Sequence, residues 1–217
     1  WSQEFMKDND FSTEDLRNAY NRDEFDTSYH TVGAQFTNYE YIANNPYLDK
    51  PIDTLLDVSQ HKSLTDSILS LEAAVQKDPK NALAWYYLGI RQQENERDVA
   101  AIAALKRATE NDPQLLECWT ALAVSYTNES YKSDAYKALQ SWMKHSKYSN
   151  IVDKYGDFND LSTAAQQHQL TRKMYLEAIR QSATSEVDAD LQIGLGVIFN
   201  ISEEYEKAVD CFEVALS

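Results

Sequence analysis

The sequence predicts an all-α protein built from antiparallel helix pairs, on three observations. Five Gly and four Pro in 217 residues are too few for a chain made mostly of turns and short strands. Long runs rich in Ala, Leu, Glu, Lys and Gln favour helix instead. The third observation is a repeat of 34 residues, which relates Pro79 to Pro113, Trp85 to Trp119, Leu88 to Leu122, Gly89 to Ala123, Ala101 to Ala135 and Leu105 to Leu139. A small residue recurring at one register marks a place where two helix backbones approach closely. Gly89 and Ala123 meet that need in the first helix of each pair, and Ala101 and Ala135 in the second.

The order W-x2-L-G, then Ala, then a large apolar residue, then Pro resembles the tetratricopeptide repeat, which implies a superhelix of stacked pairs with the first helices lining its concave face. Two full copies read as 82–115 and 116–145. A weaker copy at about 48–81 keeps a good second helix in "LTDSILSLEAAVQKDP", but its first, "PIDTLLDVSQ", is degenerate. An incomplete copy at 189–217 carries Leu195-Gly196, Phe199, Ala208 and Phe212 at the offsets seen from Gly89. Between them, 146–186 is irregular: "SKYSNIVDKYGDFNDLS" reads as loop or short helix. "AAQQHQLTRKMYLEAIRQSA" puts Leu170, Met174, Ala178 and Ile179 on one helical face.

Residues 1–47 differ. They hold ten aromatic residues but only Leu16, Val32 and Ile42 as large aliphatics, and acidic residues outnumber basic ones. Ser12 with Asp15 three residues later can cap a short helix. The rest lacks a period and reads as a largely non-globular arm. Trp1 is not a start residue and Ser217 falls in mid-pattern, so the chain reads as a piece of a longer protein.

The net charge of −15 disfavours nucleic acid and anionic membranes as partners, since both call for a basic footprint. Cys118 and Cys211 sit in apolar helical runs as small hydrophobes, in neither a CxxC nor a metal spacing. A reducing compartment follows. The absence of any run of 18 apolar residues predicts no membrane-spanning helix. His30, His61, His145 and His168 form no HExxH, and no phosphate-cradling glycine loop or G-x-S-x-G is present. The expected activity is therefore binding, with no enzyme chemistry, cofactor or metal.

Three apolar first helices end on asparagine: "LGIRQQENE" at Asn95, "AVSYTNES" at Asn128 and "LGVIFNISEE" at Asn200. With Gly89, Ala123 and Gly196 as the eighth position of each repeat, these are positions 14, 13 and 12. Positions 12 and 13 should look into the groove, and 14 only if the helix end is irregular. A carboxamide both donates and accepts, which suits reading a peptide main chain whatever its side chains. The competing explanation is that asparagine caps helix ends or tolerates the left-handed conformation there.

"ENE", "ALAVSYTNES" and "GLGVIFNISEEYEKAVDCF", with "NNPYL" ahead of the repeats, closely resemble the repeat domain of the peroxisomal import receptors of the peroxin-5 family, over roughly 40–217. That resemblance implies a cytosolic receptor, cycling to the peroxisomal membrane, that binds C-terminal tripeptide signals of the Ser-Lys-Leu kind on matrix proteins. It implies that Asn95 and Asn200 bond the cargo tail and that Asn128 lines the groove. Glu94 and Glu129, beside the asparagines, are candidates to attract a basic cargo residue. The family's further asparagines and basic residue lie in later repeats that this chain does not include. "WSQEF" fits its aromatic W-x3-F/Y motif, which implies that Trp1 and Phe5 bind peroxisomal docking proteins. Alternative expectations are a paralogous accessory protein, such as one serving an ion channel, a chaperone adaptor, or a structural scaffold. A chaperone adaptor needs several Lys and Arg on its first helices, and Arg91 alone stands in the two best ones.

Overall fold

The computed structural model describes residues 38–57, 63–155, 163–182 and 187–217, all within one unit, Gln35–Ser217. Those residues form ten helices and no strand. Trp1 and Phe5 lie outside the described residues. In chain order the helices are α1 (Ile52–Leu55), α2 (Leu64–Lys77), α3 (Ala82–Glu94), α4 (Asp98–Asn111), α5 (Leu116–Asn128), α6 (Lys132–His145), α7 (Ser149–Tyr155), α8 (Ala164–Ser182), α9 (Ala189–Ile201) and α10 (Tyr205–Ala215).

Three of the starts carry a side-chain cap. Ser63, Asn81 and Asp188 cap α2, α3 and α9 by accepting from the backbone N–H three residues on, at 3.0, 3.0 and 3.3 Å. The pairs α3–α4, α5–α6 and α9–α10 pack most extensively, and each closes over the small residue that the repeat pattern marks. A Cβ on Gly89 would meet Leu105 at 2.5 Å, and one on Gly196 would meet Phe212 at 2.5 Å. Ala101 and Ala135, the small residues of the second helices, are fully buried.

The irregular stretch interrupts this stacking in a specific way. First helices lie against first helices, α3 against α5 and α5 directly against α9. The described residues between α6 and α9 therefore add no long first helix to that layer. They supply the short α7 and then α8, which packs on both α6 and α9. Tyr175 of α8 lies across Gly194, where a Cβ would come within 2.2 Å of its ring, and its hydroxyl donates to the Leu139 carbonyl at 3.1 Å. The α6–α8 seam is unusually polar. Ser133 donates to Gln167 at 2.8 Å, Gln140 to Thr171 at 2.8 Å, and Tyr136 meets His168 at 2.9 Å. The short α7 is tied to α8 by Lys154 and Tyr155, which bond the two oxygens of Glu177 at 2.7 and 2.6 Å.

Residues 39–47, at the end of the sequence-defined arm, dock on α2 and α3. Tyr39 is buried edge-on against Trp85, 5.9 Å between ring centres. Its hydroxyl donates to the buried Glu72 at 2.9 Å and accepts from Gln92. Glu72 also accepts from the Ile42 N–H at 3.0 Å, and Asn45 donates to the Leu69 carbonyl at 2.6 Å. The degenerate first helix of the first repeat is reduced to the single turn of α1, held by Ser70 donating to the Leu55 carbonyl at 2.9 Å.

Candidate functional site

The ends of the first helices are built alike, and the asparagines sit within that common frame. Seven residues after Gly89, Ala123 and Gly196 the chain turns left-handed, at Glu96 (φ 55°), Ser130 (φ 64°) and Glu203 (φ 63°). The same pair of bonds closes each turn. Glu96 N–H donates to Gln93 and Arg97 N–H to Gln92; Ser130 to Thr127 and Tyr131 to Tyr126; Glu203 to Asn200 and Glu204 to Phe199, all at 2.8–3.0 Å. This is the Schellman arrangement, with non-glycine residues at the left-handed site.

No asparagine occupies that left-handed position. Asn95 is the C-cap of α3, Asn128 the last residue of α5 and Asn200 the last but one of α9. They stand at three successive registers, each turned about 100° from the next. All three are exposed. Among the described residues the side chains of Asn95 and Asn200 make no hydrogen bond, so neither caps its helix. Asn128 does have a partner: its Nδ2 donates to Asp98 Oδ2 at 3.1 Å, reaching from the end of α5 to the first residue of α4. Glu94 is held by Arg91 at 2.6 Å, an exposed pair within one helix turn. Glu129 is exposed at the C-cap of α5.

Two further groups belong to the same layer. Gln93, beside Glu94, donates through Nε2 to the Ala121 carbonyl and to Ser125 Oγ, both at 2.8 Å, and so binds α3 to α5. At the opposite ends of the helices, Glu117 and Asp190 share position 2 of their repeats and lie near Tyr86. Burial raises the Asp190 carboxyl above its ordinary range, and the charges of Asp188 and Glu117 raise it further. Burial likewise raises the Tyr86 hydroxyl, with Glu117 adding to it. The sequence signal for this acidic pair was the shared repeat register; attention to the helix C-termini alone passes over it.

The cationic content of the layer is low. Arg91 is the one Lys or Arg on α3, and α5 and α9 contain none. Cys118 donates its thiol to the Leu105 carbonyl, and burial raises both thiols, Cys211 to about 12. Both therefore serve as inert core residues. Among the described residues no group of His, Cys, Asp or Glu could hold a metal, and no helix is long and apolar enough to cross a membrane.

No family model matches the chain. Curated relatives do. A PEX5-related protein of Mus musculus is 39% identical over 197 residues, covering 86% of this chain and 35% of its own. A peroxisomal targeting signal receptor of Yarrowia lipolytica is 35% identical over 190 residues (84% and 32%), and one of Candida albicans 35% over 201 (87% and 34%). The chain thus spans about a third of the length of the curated relatives it matches. A solved structure, that of MamA, aligns with a TM-score of 0.46 at 18% identity over 76% of this chain and 90% of MamA, too distant to bear on the site. Repeat register, helix pairing and this extended identity agree, and over 84–87% of its length the chain belongs to the family of the peroxisomal targeting signal receptors and PEX5-related proteins.

Proposed function

We propose that this chain is the signal-reading part of a receptor for peroxisomal matrix proteins, which binds C-terminal signals of the Ser-Lys-Leu kind and delivers its cargo from the cytosol to the docking proteins of the peroxisomal membrane. The observation that carries the reading is the alignment with targeting signal receptors across nearly the whole chain. The exposed carboxamides at the ends of the first-helix layer support it. Asn95 and Asn200 have hydrogen-bonding capacity that the fold does not use, and an extended peptide offers matching N–H and C=O groups at regular intervals. Glu129, beside Asn128, suits a basic residue in the signal, and Glu94 does so once it exchanges Arg91 for that residue. The mechanism is binding alone. The poverty of Lys and Arg in this layer disfavours the clamp of a chaperone adaptor, because Arg91 is already engaged by Glu94. Apart from Arg91, α3, α5 and α9 supply no cation for the cargo carboxylate.

Peptide affinity and thermal melting, measured on the same variants of the full-length protein, test this. A peptide ending in Ser-Lys-Leu should bind, and its C-terminally amidated form should not. Asn200→Ala and Asn95→Ala should each weaken binding by about two- to twelve-fold, the equivalent of one hydrogen bond of about 0.5–1.5 kcal/mol. Neither should move the melting temperature, since neither side chain serves the helix end. Early melting with unchanged affinity would make them structural residues. A paralogous role outside cargo import is the second reading, since the chain matches PEX5-related proteins, at 38–39% identity, as well as the named receptors. It predicts that the amidated and free peptides bind alike.

Trp1 and Phe5 are proposed to contact the docking proteins. Residues four apart share a helix face, and a pair of aromatics there is an anchor for a partner's groove. Replacing both with Ala in this segment should abolish docking-protein capture and leave signal-peptide affinity unchanged. Capture at the wild-type level would remove the motif from the mechanism.

A further inference from the structure

We propose that Asp98 is a positioning residue that fixes the carboxamide of Asn128 with its oxygen outward, so that this site reads a donor on the cargo, a main-chain N–H, and not the cargo's terminal carboxylate. The inference rests on the receptor reading above. A carboxamide has two different ends, and which one faces a ligand depends on what holds the other. Asp98 Oδ2 lies 3.1 Å from Asn128 Nδ2. A carboxylate oxygen accepts and cannot donate, so the amide nitrogen must face Asp98. Asn128 Oδ1 is left on the exposed side of the helix end.

Two observations set this pair apart from a chance surface contact. Asp98 Oδ1 is shut off from solvent and has no partner among the described residues. Leaving a buried acceptor unpaired is unfavourable, and the position of Asp98 in the first turn of α4, where a carboxylate is favoured, offsets part of that cost. The one side chain that Asp98 holds is Asn128. The neighbouring helix end repeats the polarity. Gln93 spends both N–H bonds of its amide on Ala121 and Ser125, which leaves Oε1 as its remaining hydrogen-bonding atom. Two carboxamides on adjacent first helices are therefore both anchored through nitrogen, Gln93 by both N–H bonds and Asn128 by one, with the oxygen directed away from the anchor. Such an edge favours N–H groups of a ligand over acceptors. Asn95 and Asn200, whose amides nothing orients, are free to present either end.

The experiment uses the full-length protein and Ser-Lys-Leu peptides in which each of the last four main-chain amides is replaced in turn by an ester, which removes one N–H without adding bulk. One ester should weaken binding to wild type by about five-fold, the loss of a single bond. The same ester should cost nothing further in Asn128→Ala, and less than about two-fold in Asp98→Ala, where the amide is free to turn. In the unliganded protein, the side-chain amide proton of Asn128 that is bonded to Asp98 should lie downfield of the other and exchange with water more slowly, and both differences should be lost in Asp98→Ala. Asp98→Glu should restore part of both effects. The proposal fails if no ester position depends on Asn128, if Asn128→Ala instead cancels the penalty of amidating the carboxylate, or if Asp98→Ala leaves the ester penalty and the amide signals unchanged. A wild-type protein that binds no Ser-Lys-Leu peptide overturns the receptor reading. The amide signals then still decide whether Asp98 orients Asn128.

Discussion

At the scale of single residues, polar groups in this protein divide into those the fold consumes and those it leaves over. Glu72 is consumed. Its carboxylate is buried, and it accepts from the Tyr39 hydroxyl and the Ile42 N–H. Burial still raises its pKa above the ordinary 4.5, because those two bonds and the distant Arg97 do not offset the loss of water. The folded state therefore holds this proton more tightly than the unfolded chain does. The contribution to stability is full below about pH 4.5 and is lost as pH rises through the folded value. Glu72→Gln keeps the shape and cannot ionise. The stability of wild type relative to this variant should therefore increase as pH is lowered from 7 toward 4.5, and urea titrations at both pH values measure it. Glu72→Leu strands the Tyr39 hydroxyl and the Ile42 N–H, and should cost about 2–4 kcal/mol. Neither Glu72 nor Tyr39 was legible as a pair in the sequence, since 33 residues separate them and nothing periodic joins them. The asparagines were legible as a recurring ending. Their exact registers, and the fact that Glu96, Ser130 and Glu203 take the left-handed turn, depend on backbone geometry that composition does not encode.

At the scale of elements, the helix pairs followed directly from the 34-residue register, because each pair needs a small residue at its crossing and a large one over it. The exception is the joint between α8 and α9. "LQIGLG" contains two glycines, and the repeat pattern explains only Gly196. Gly194 is small for a different partner, Tyr175 of a helix that belongs to no regular repeat. The equivalent positions in the regular repeats are Tyr87 and Ala121, so periodicity gave no reason to single it out. Gly194→Ala should destabilise by about 1–3 kcal/mol. The incoming Cβ lies 2.2 Å from a ring that is almost wholly buried and tethered to Leu139. Helix propensity returns up to about 1 kcal/mol. Gly196→Ala should cost less, because Phe212 is 36% exposed and its ring can swing outward. Combining Gly194→Ala with Tyr175→Leu should be less damaging than the sum of the two, and chemical denaturation of the four proteins in that cycle reports the coupling.

At the scale of the whole unit, the repeat supplies an internal control, because one register recurs in different surroundings. Thirteen, sixteen and twenty residues after the marker lie Ile102, Leu105 and Thr109 on α4, Tyr136, Leu139 and Met143 on α6, and Val209, Phe212 and Leu216 at α10. The first two sets are buried, α4 by α5 and α6 by α7 and α8. The third set is open, with Val209 53% and Leu216 88% exposed. The sequence made the first two sets equivalent, and each second helix acquires its core from whatever packs on it next. The irregular stretch passes this requirement because α8 covers α6 even though it carries no repeat signature. Large-to-small substitutions at the covered positions of this register should therefore be costly, and those on the outer sides of the same helices should not. Leu139→Ala removes a fully buried side chain from beneath α8 and should cost about 2–5 kcal/mol. Val99→Ala, at a half-exposed position on the outer side of α4, should fall within about 0.5 kcal/mol of wild type. Urea unfolding of the two variants measures both. Equal losses would mean that α8 does not cover α6 in solution, and that α9 reaches α5 by some other packing of the residues between them.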